Sequence, residues 1–157
     1  MTTTLNASTS SGFVMTPDNS GTIGLQGNGT TGLTVDTSGY VLTPTRPSFR
    51  AKCTSNSNIT TSPVPFNATD FNVGGCYSTS TYRFTAPVTG IYFFSAKVYV
   101  QPGSATYSNA GLYKNGNLFA YVEFGNNTAQ LTLSISEAMN LTVGDYVTVS
   151  FSSNGKQ

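Results

Sequence analysis

Histidine and tryptophan are absent from this 157-residue chain, and charged residues make up only 8% of it. Without histidine, serine and cysteine lose the base that most often activates them as nucleophiles. Zinc loses its commonest nitrogen ligand, and the two cysteines, Cys53 and Cys76, make no CxxC pair. Seven basic and six acidic residues stand singly, for a net charge of +1. No basic run exists from which phosphate counterions would be displaced, which argues against nucleic acid as a partner. No apolar run approaches the roughly 18 residues of a spanning helix, so membrane insertion is not expected. The opening Met1–Ser10 has neither the basic nor the apolar region of a secretory signal. An extracellular location would then require another route, such as lysis.

What the chain does have is small and polar. Threonine, serine, asparagine and glycine make up about half of it. Phenylalanine and tyrosine fall almost entirely after Pro47, so the expected partition is an extended stalk over residues 1–46 and a head over 47–157. The stalk's apolar residues alternate with polar ones in pairs, Ile23 with Leu25 and Leu33 with Val35, separated by glycine or Asp-Asn turns. Period two means strand, but ribbons this short are marginal alone. Wound around identical copies, these four residues would share a buried axis or a docking surface. Thr43–Pro47 reads as a hinge, because two prolines hold it extended.

In the head, Ile91–Val100 is the clearest strand. Tyr92, Phe94, Ala96, Val98 and Val100 occupy one side, and the other side, with Ser95 and Lys97, reads as wetter. Asn115-Gly116 is a type I′ hairpin signal. Gly74-Gly75 marks another turn. In the strand that follows Gly116, Leu118, Ala120, Val122 and Phe124 alternate along one side, and Phe119 with Tyr121 makes the other side apolar too. A strand apolar on both sides needs a further layer or another subunit, so Phe119 and Tyr121 are the head's candidates for subunit contact. Ala129–Ile135 alternates, Ser136–Asn140 could form a helical turn, and Val147, Val149 and Phe151 line a last strand. Residues 54–64 read as a polar loop. Turn signals every 8–12 residues or so mean an all-β sandwich or jelly roll.

The candidate carboxylates Asp70, Glu123, Glu137 and Asp145 are dispersed, so no glycosidase-like pair is expected and the chain reads as no enzyme, without cofactor. Cys53 and Cys76 read as two buried thiols; one bridge between adjacent strands is the alternative. Asn-x-Ser/Thr triplets begin at Asn6, Asn28, Asn58, Asn67, Asn126 and Asn140, and in so Asn- and Thr-rich a chain they read as chance. Polar loops Thr54–Thr61, Pro102–Asn109 and Gly125–Thr128 would suit weak recognition multiplied over several copies.

Phe66, Gly75–Tyr77 and the run Phe84, Ala86, Pro87, Gly90, Tyr92, Phe94 resemble the C1q domain of the C1q/tumour-necrosis-factor-like jelly rolls. Ser48–Ala51, Leu112–Gly116 and Leu141–Val147 agree, so the likeness covers roughly residues 47–152. It implies a jelly-roll β-sandwich, with Phe84, Pro87, Gly90, Tyr92 and Phe94 as determinants of the fold. It also implies a homotrimer, in some members with calcium at the axis, to which Asp70 or Asp145 could contribute, although no DxD cluster is present. The family's domains end in one further strand. This chain stops at Gly155–Gln157 before any such strand; truncation is the expectation, and an edge supplied by a neighbour is the alternative. Gly12–Ile23 and Asn28–Gly39 resemble the amino-terminal segments of tailed-bacteriophage virion fibres. That likeness implies a structural protein on the exterior of the virion, a trimeric fibre or head-decoration spike. Its stalk would bind other virion proteins, and its head a host cell-surface glycan or protein. The alternative, a secreted C1q-like lectin or signalling protein, would bring a signal peptide and often a collagen-like repeat.

Overall fold

Glycine and asparagine decide where this chain reverses. Asn115 (φ 51°) and Gly116 (φ 81°) adopt the left-handed backbone that a two-residue hairpin requires, and Asn28 (φ 50°) with Gly29 (φ 76°) repeats the device. The computed structural model describes residues 20–54, 62–101, 107–125 and 129–154, and every regular element among them is a strand. The segments 1–19, 55–61, 102–106, 126–128 and 155–157, which include most of the polar loops named above, lie outside the described residues. The chain divides into two units, residues 1–46 and 47–157.

The first unit is a three-stranded antiparallel sheet of β1 (Ile23–Gly27), β2 (Thr30–Val35) and β3 (Val41–Leu42). Asp36 closes the turn after β2 by accepting the backbone N–H groups of Ser38 and Tyr40, each at 2.9 Å.

The second unit is a sandwich. Its continuous layer runs in the order β10 (Asn117–Gly125), β9 (Tyr107–Lys114), β12 (Tyr146–Asn154), β7 (Arg83–Thr85), β6 (Tyr77–Ser78). The facing layer is two separate ribbons, β8 (Gly90–Val100) with β11 (Leu131–Leu141), and β4 (Ser48–Lys52) with β5 (Ala68–Val73). Eleven residues of β8 pair with eleven of β11 without a bulge, so alternation is undisturbed along both. Phe94, Val98 and Val100 from β8 and Leu133, Ile135, Met139 and Leu141 from β11 are buried against Leu112, Ala110 and Val147 of the other layer.

One ring ties the layers together. Phe84 of β7 lies 5.5 Å from Phe49 of β4, 5.1 Å from Tyr92 and 5.2 Å from Phe94 of β8, between ring centroids. Phe49 also stacks on Tyr77 at 4.8 Å. Tyr77 donates its hydroxyl to the Phe66 carbonyl at 3.2 Å, and burial raises its pKa. Tyr92 donates its own to the Val88 carbonyl at 2.7 Å and so closes the turn that contains Pro87. Gly90 is already the first residue of β8, paired with Leu141, and needs no left-handed backbone.

Four expectations change. Ser136–Asn140 is strand, because it continues the β8 ladder and buries Met139 completely. Val64 falls in the stretch that reads as a polar loop, yet it is buried and its N–H donates to the Val149 carbonyl at 2.7 Å. Tyr107–Asn109 belongs to β9, with Ser108 buried. Leu118 does not share a side with Ala120 and Val122. Leu118 pairs with Tyr113 and Ala120 with Leu112, so Phe119 is an extra, bulged residue that reverses the alternation. Leu118 therefore joins Tyr113 over Gly111, where an added Cβ would lie 3.0 Å from the Tyr113 ring and 3.1 Å from Leu118 Cδ1.

Phe84→Ala removes the ring shared by both layers. We expect it to lower unfolding free energy by about 3–5 kcal/mol, measured by chemical denaturation.

Candidate functional site

Strand alternation sends side chains out as well as in. On β8 the outward positions are Ile91, Phe93, Ser95, Lys97 and Tyr99, and Ile91 and Phe93 are 80% and 73% exposed. Beside them β11 turns out only Thr132, Ser134, Ser136, Ala138 and Asn140. Large apolar groups on β8 thus stand next to a low shelf of small residues. Ser136 donates to Ser95 across the pair at 2.9 Å, which ties the shelf to the strand.

A second apolar strip lies on the opposite layer. β10 is the outer strand of the continuous sheet. Ala120 and Val122 turn inward and pack on the core, whereas Leu118, Phe119 and Tyr121 are about half exposed or more, at 53%, 49% and 61%. Glu123 follows Tyr121 on the same outward side, opposite Asn109.

The four stalk candidates come together within their own unit. Ile23 pairs with Val35 and Leu25 with Leu33, so all four project from one face of the β1–β2 ribbon. Val41 pairs with Val35 and extends that face. Ile23, Leu25 and Val41 are exposed, and among the described residues of this unit no second layer covers them.

The carboxylates are not brought together. Asp70 sits on β5 and is held by Lys52 and by Arg50 at 3.1 Å, and the Lys52 hydrogen bond draws its pKa down. Asp145 lies in the turn between β11 and β12. It accepts from Asn115 Nδ2 at 2.7 Å, the Thr142 backbone N–H at 2.9 Å and Lys114 Nζ at 3.0 Å. These bonds, the Asn115 one foremost, hold its carboxyl far below the usual range. Neither candidate calcium ligand offers a free carboxylate. Among the described residues no three His, Cys, Asp or Glu side chains gather where a metal could sit. A shallow hollow of about 250 Å³ beside Lys114, Asn115 and Phe119 has its Lys114 and Asn115 groups already engaged by Asp145, Asn140 and Tyr146.

Both cysteines are free thiols. Cys76 is buried, but Cys53 is only partly so, with its thiol donating to the Pro65 carbonyl at 3.2 Å. Burial raises both pKa values, which keeps both as unreactive thiols.

Ile91, Phe93 and Tyr99 were not singled out from the sequence. The signal was available, since they alternate with Tyr92, Phe94 and Val98 and make β8 apolar on both sides, as β10 is.

The depressed Asp145 carboxyl takes up its proton at lower pH than in the unfolded chain, whose value is near 3.8. Its stabilising contribution is complete above that pH and is lost as pH falls toward the folded value. Asp145→Asn should therefore be less stable than the parent near neutral pH, with the gap closing in acid. Thermal melts from about pH 7 to pH 2 measure this.

Residues 48–157 match the C1q domain, and the chain belongs to that family.

Proposed function

We propose that this protein is a structural component on the exterior of a tailed-bacteriophage virion, a homotrimeric fibre or head-decoration spike. Its stalk attaches to other virion proteins, and its C1q head meets a host cell-surface glycan or protein. The C1q family generally lacks enzymatic activity, and its domains typically assemble as trimers. That much places the chain among binding or structural proteins.

The observation that carries the reading is the apolar surface left open in both units. Ile91, Phe93, Leu118 and Tyr121 in the head, and Ile23 and Leu25 in the stalk, are all more than one-third exposed. Burial is worth about 25 cal/mol per Å², so covering such faces between copies is strongly favourable. The described part of the stalk adds a small single sheet, which suits a segment wound with its copies or seated on a larger assembly. The likeness of Asn28–Gly39 to phage-fibre segments supports the virion setting, and the low charge fits a surface built for packing.

A secreted C1q-like binding protein shares the head, and glycosylation separates the two readings. Asn140 begins an Asn-x-Thr triplet and projects from the outward face of β11, paired with Ile91. A glycan there would stand beside the exposed face of β8, so a test for glycosylation at Asn140 distinguishes the two readings.

We expect the full chain to sediment as a trimer at micromolar concentration, and a carboxy-terminal label to appear on three-fold spikes in images of purified particles. Recovery as a glycosylated monomer would remove the reading. Leu25→Ser/Leu33→Ser, placed on the stalk face, should loosen the assembly by roughly tenfold or more, read as the concentration at which it dissociates.

A further inference from the structure

We infer that the head binds a carboxylate-bearing glycan on the outward face of the continuous layer, with Arg83 taking the carboxylate and the sugar ring lying over Thr148, between Tyr146 and Tyr113. The inference rests on the adhesion reading above and names its site and its class of ligand.

The site follows from strand alternation. Phe84, Leu112 and Val147 turn into the core, so their neighbours turn out: Arg83 from β7, Tyr113 from β9, and Tyr146 and Thr148 from β12. Register then brings these together. Thr148 pairs with Arg83 on one side and with Tyr113 on the other, so a short side chain lies between long ones. The long ones also lean apart. Arg83 reaches diagonally over Tyr146, its Cζ 4.9 Å from the ring centroid. Tyr113 leans the other way, over Gly111, where an added Cβ would meet its ring at 3.0 Å. Thr148 and Ser150 are left as a low strip of hydroxyls between them. Ser150 accepts from Ser62 at 2.7 Å and keeps its own proton to donate.

Charge selects the occupant. Arg83 is exposed, and among the described residues no carboxylate pairs with it. Asp145, which precedes Tyr146 in the chain, is already held by Lys114 at 3.0 Å. A guanidinium holds an aromatic face and a carboxylate at once, because its N–H donors lie in its plane. A lone cation beside tyrosines does not fit a nucleic acid, whose many phosphates need many cations. An acidic sugar matches every group present: its carboxylate meets Arg83, its C–H face a tyrosine ring, and its hydroxyls Thr148 and Ser150. An acidic peptide would use Arg83 and leave the rest idle. β9 and β12 separate Arg83 from the apolar strip on β10, so the site does not draw on that strip. A contact this small is weak in one head and gains strength from several heads on one surface.

The test is surface plasmon resonance of the full chain over immobilised polygalacturonate, alginate, hyaluronate and polysialate. Dextran serves as the uncharged polysaccharide and polyglutamate as the carboxylate without a sugar. We expect retention on at least one acidic polysaccharide and little on dextran or polyglutamate. Arg83→Gln should weaken that retention at least about tenfold, and Arg83→Lys, which keeps the charge but not the fork, should keep only part of it. Thr148→Val, which removes the hydroxyl at nearly constant shape, should weaken it about threefold or more. Thermal melts show whether each variant is folded. Equal retention on dextran or on polyglutamate overturns the match of charge and sugar together. Retention on a polysaccharide that Arg83→Gln leaves unchanged overturns this site and leaves adhesion standing. Retention on none of the surfaces overturns the assignment as well, and the virion reading is decided separately, by three-fold spikes on imaged particles.

Discussion

Everything outward-facing in the head depends on one interior contact, the Phe84 ring held among Phe49, Tyr92 and Phe94. The ring belongs to the continuous layer, and its neighbours come from both ribbons of the other layer. The ribbons are not hydrogen-bonded to each other, so this aromatic contact sets the depth at which each packs. With Tyr92 and Phe94 turned to Phe84, the pleat of β8 leaves Ile91 and Phe93 no orientation but outward. The buried motif and the exposed face are therefore the same constraint seen from two sides. A substitution that rotated β8 to hide Phe93 would expose Phe94.

Much of this architecture was readable before any coordinates. Tyr92, Phe94, Val98 and Val100 alternate cleanly because β8 pairs along its whole length with β11 and carries no bulge. Asn115-Gly116 was legible because few other dipeptides accept its backbone. The features that escaped are those in which local pattern and tertiary environment disagree. Val64 lies between two prolines in a polar stretch, and only its hydrogen bond to Val149 reveals it as core. Ser136–Asn140 is too polar to announce a strand, yet its partner β8 draws it into the ladder. In both cases the deciding information lies in a distant segment. Free thiols at Cys53 and Cys76 agree with the unbridged reading, but only Cys76 is buried as that reading expects.

The stalk and head use one device in different proportions. In each, a sheet places apolar side chains on a face that the described residues of its own unit leave exposed. The head has a full core besides, with Leu112, Met139 and Leu141 wholly enclosed, and so keeps its fold while offering a sticky exterior. The described residues of the stalk form one layer. Its turns are well determined, by Asn28-Gly29 and by the Asp36 carboxylate, but its apolar face has no interior to belong to. Local geometry is thus encoded more firmly than independent stability, which is the pattern of a segment whose solvent shield comes from neighbours.

The bulge at Phe119 has a quieter consequence. Phe119 is the residue at which β10 departs from one-to-one pairing with β9, since Leu118 and Ala120 already sit opposite consecutive residues. Losing it would close a regular ladder and leave both flanking halves facing as they do now. Losing a neighbour such as Tyr121 would instead exchange inside for outside from that point on. Tolerance to a change of length in this strand is therefore concentrated at a single surface position, where the chain can drift in evolution without disturbing what lies beneath.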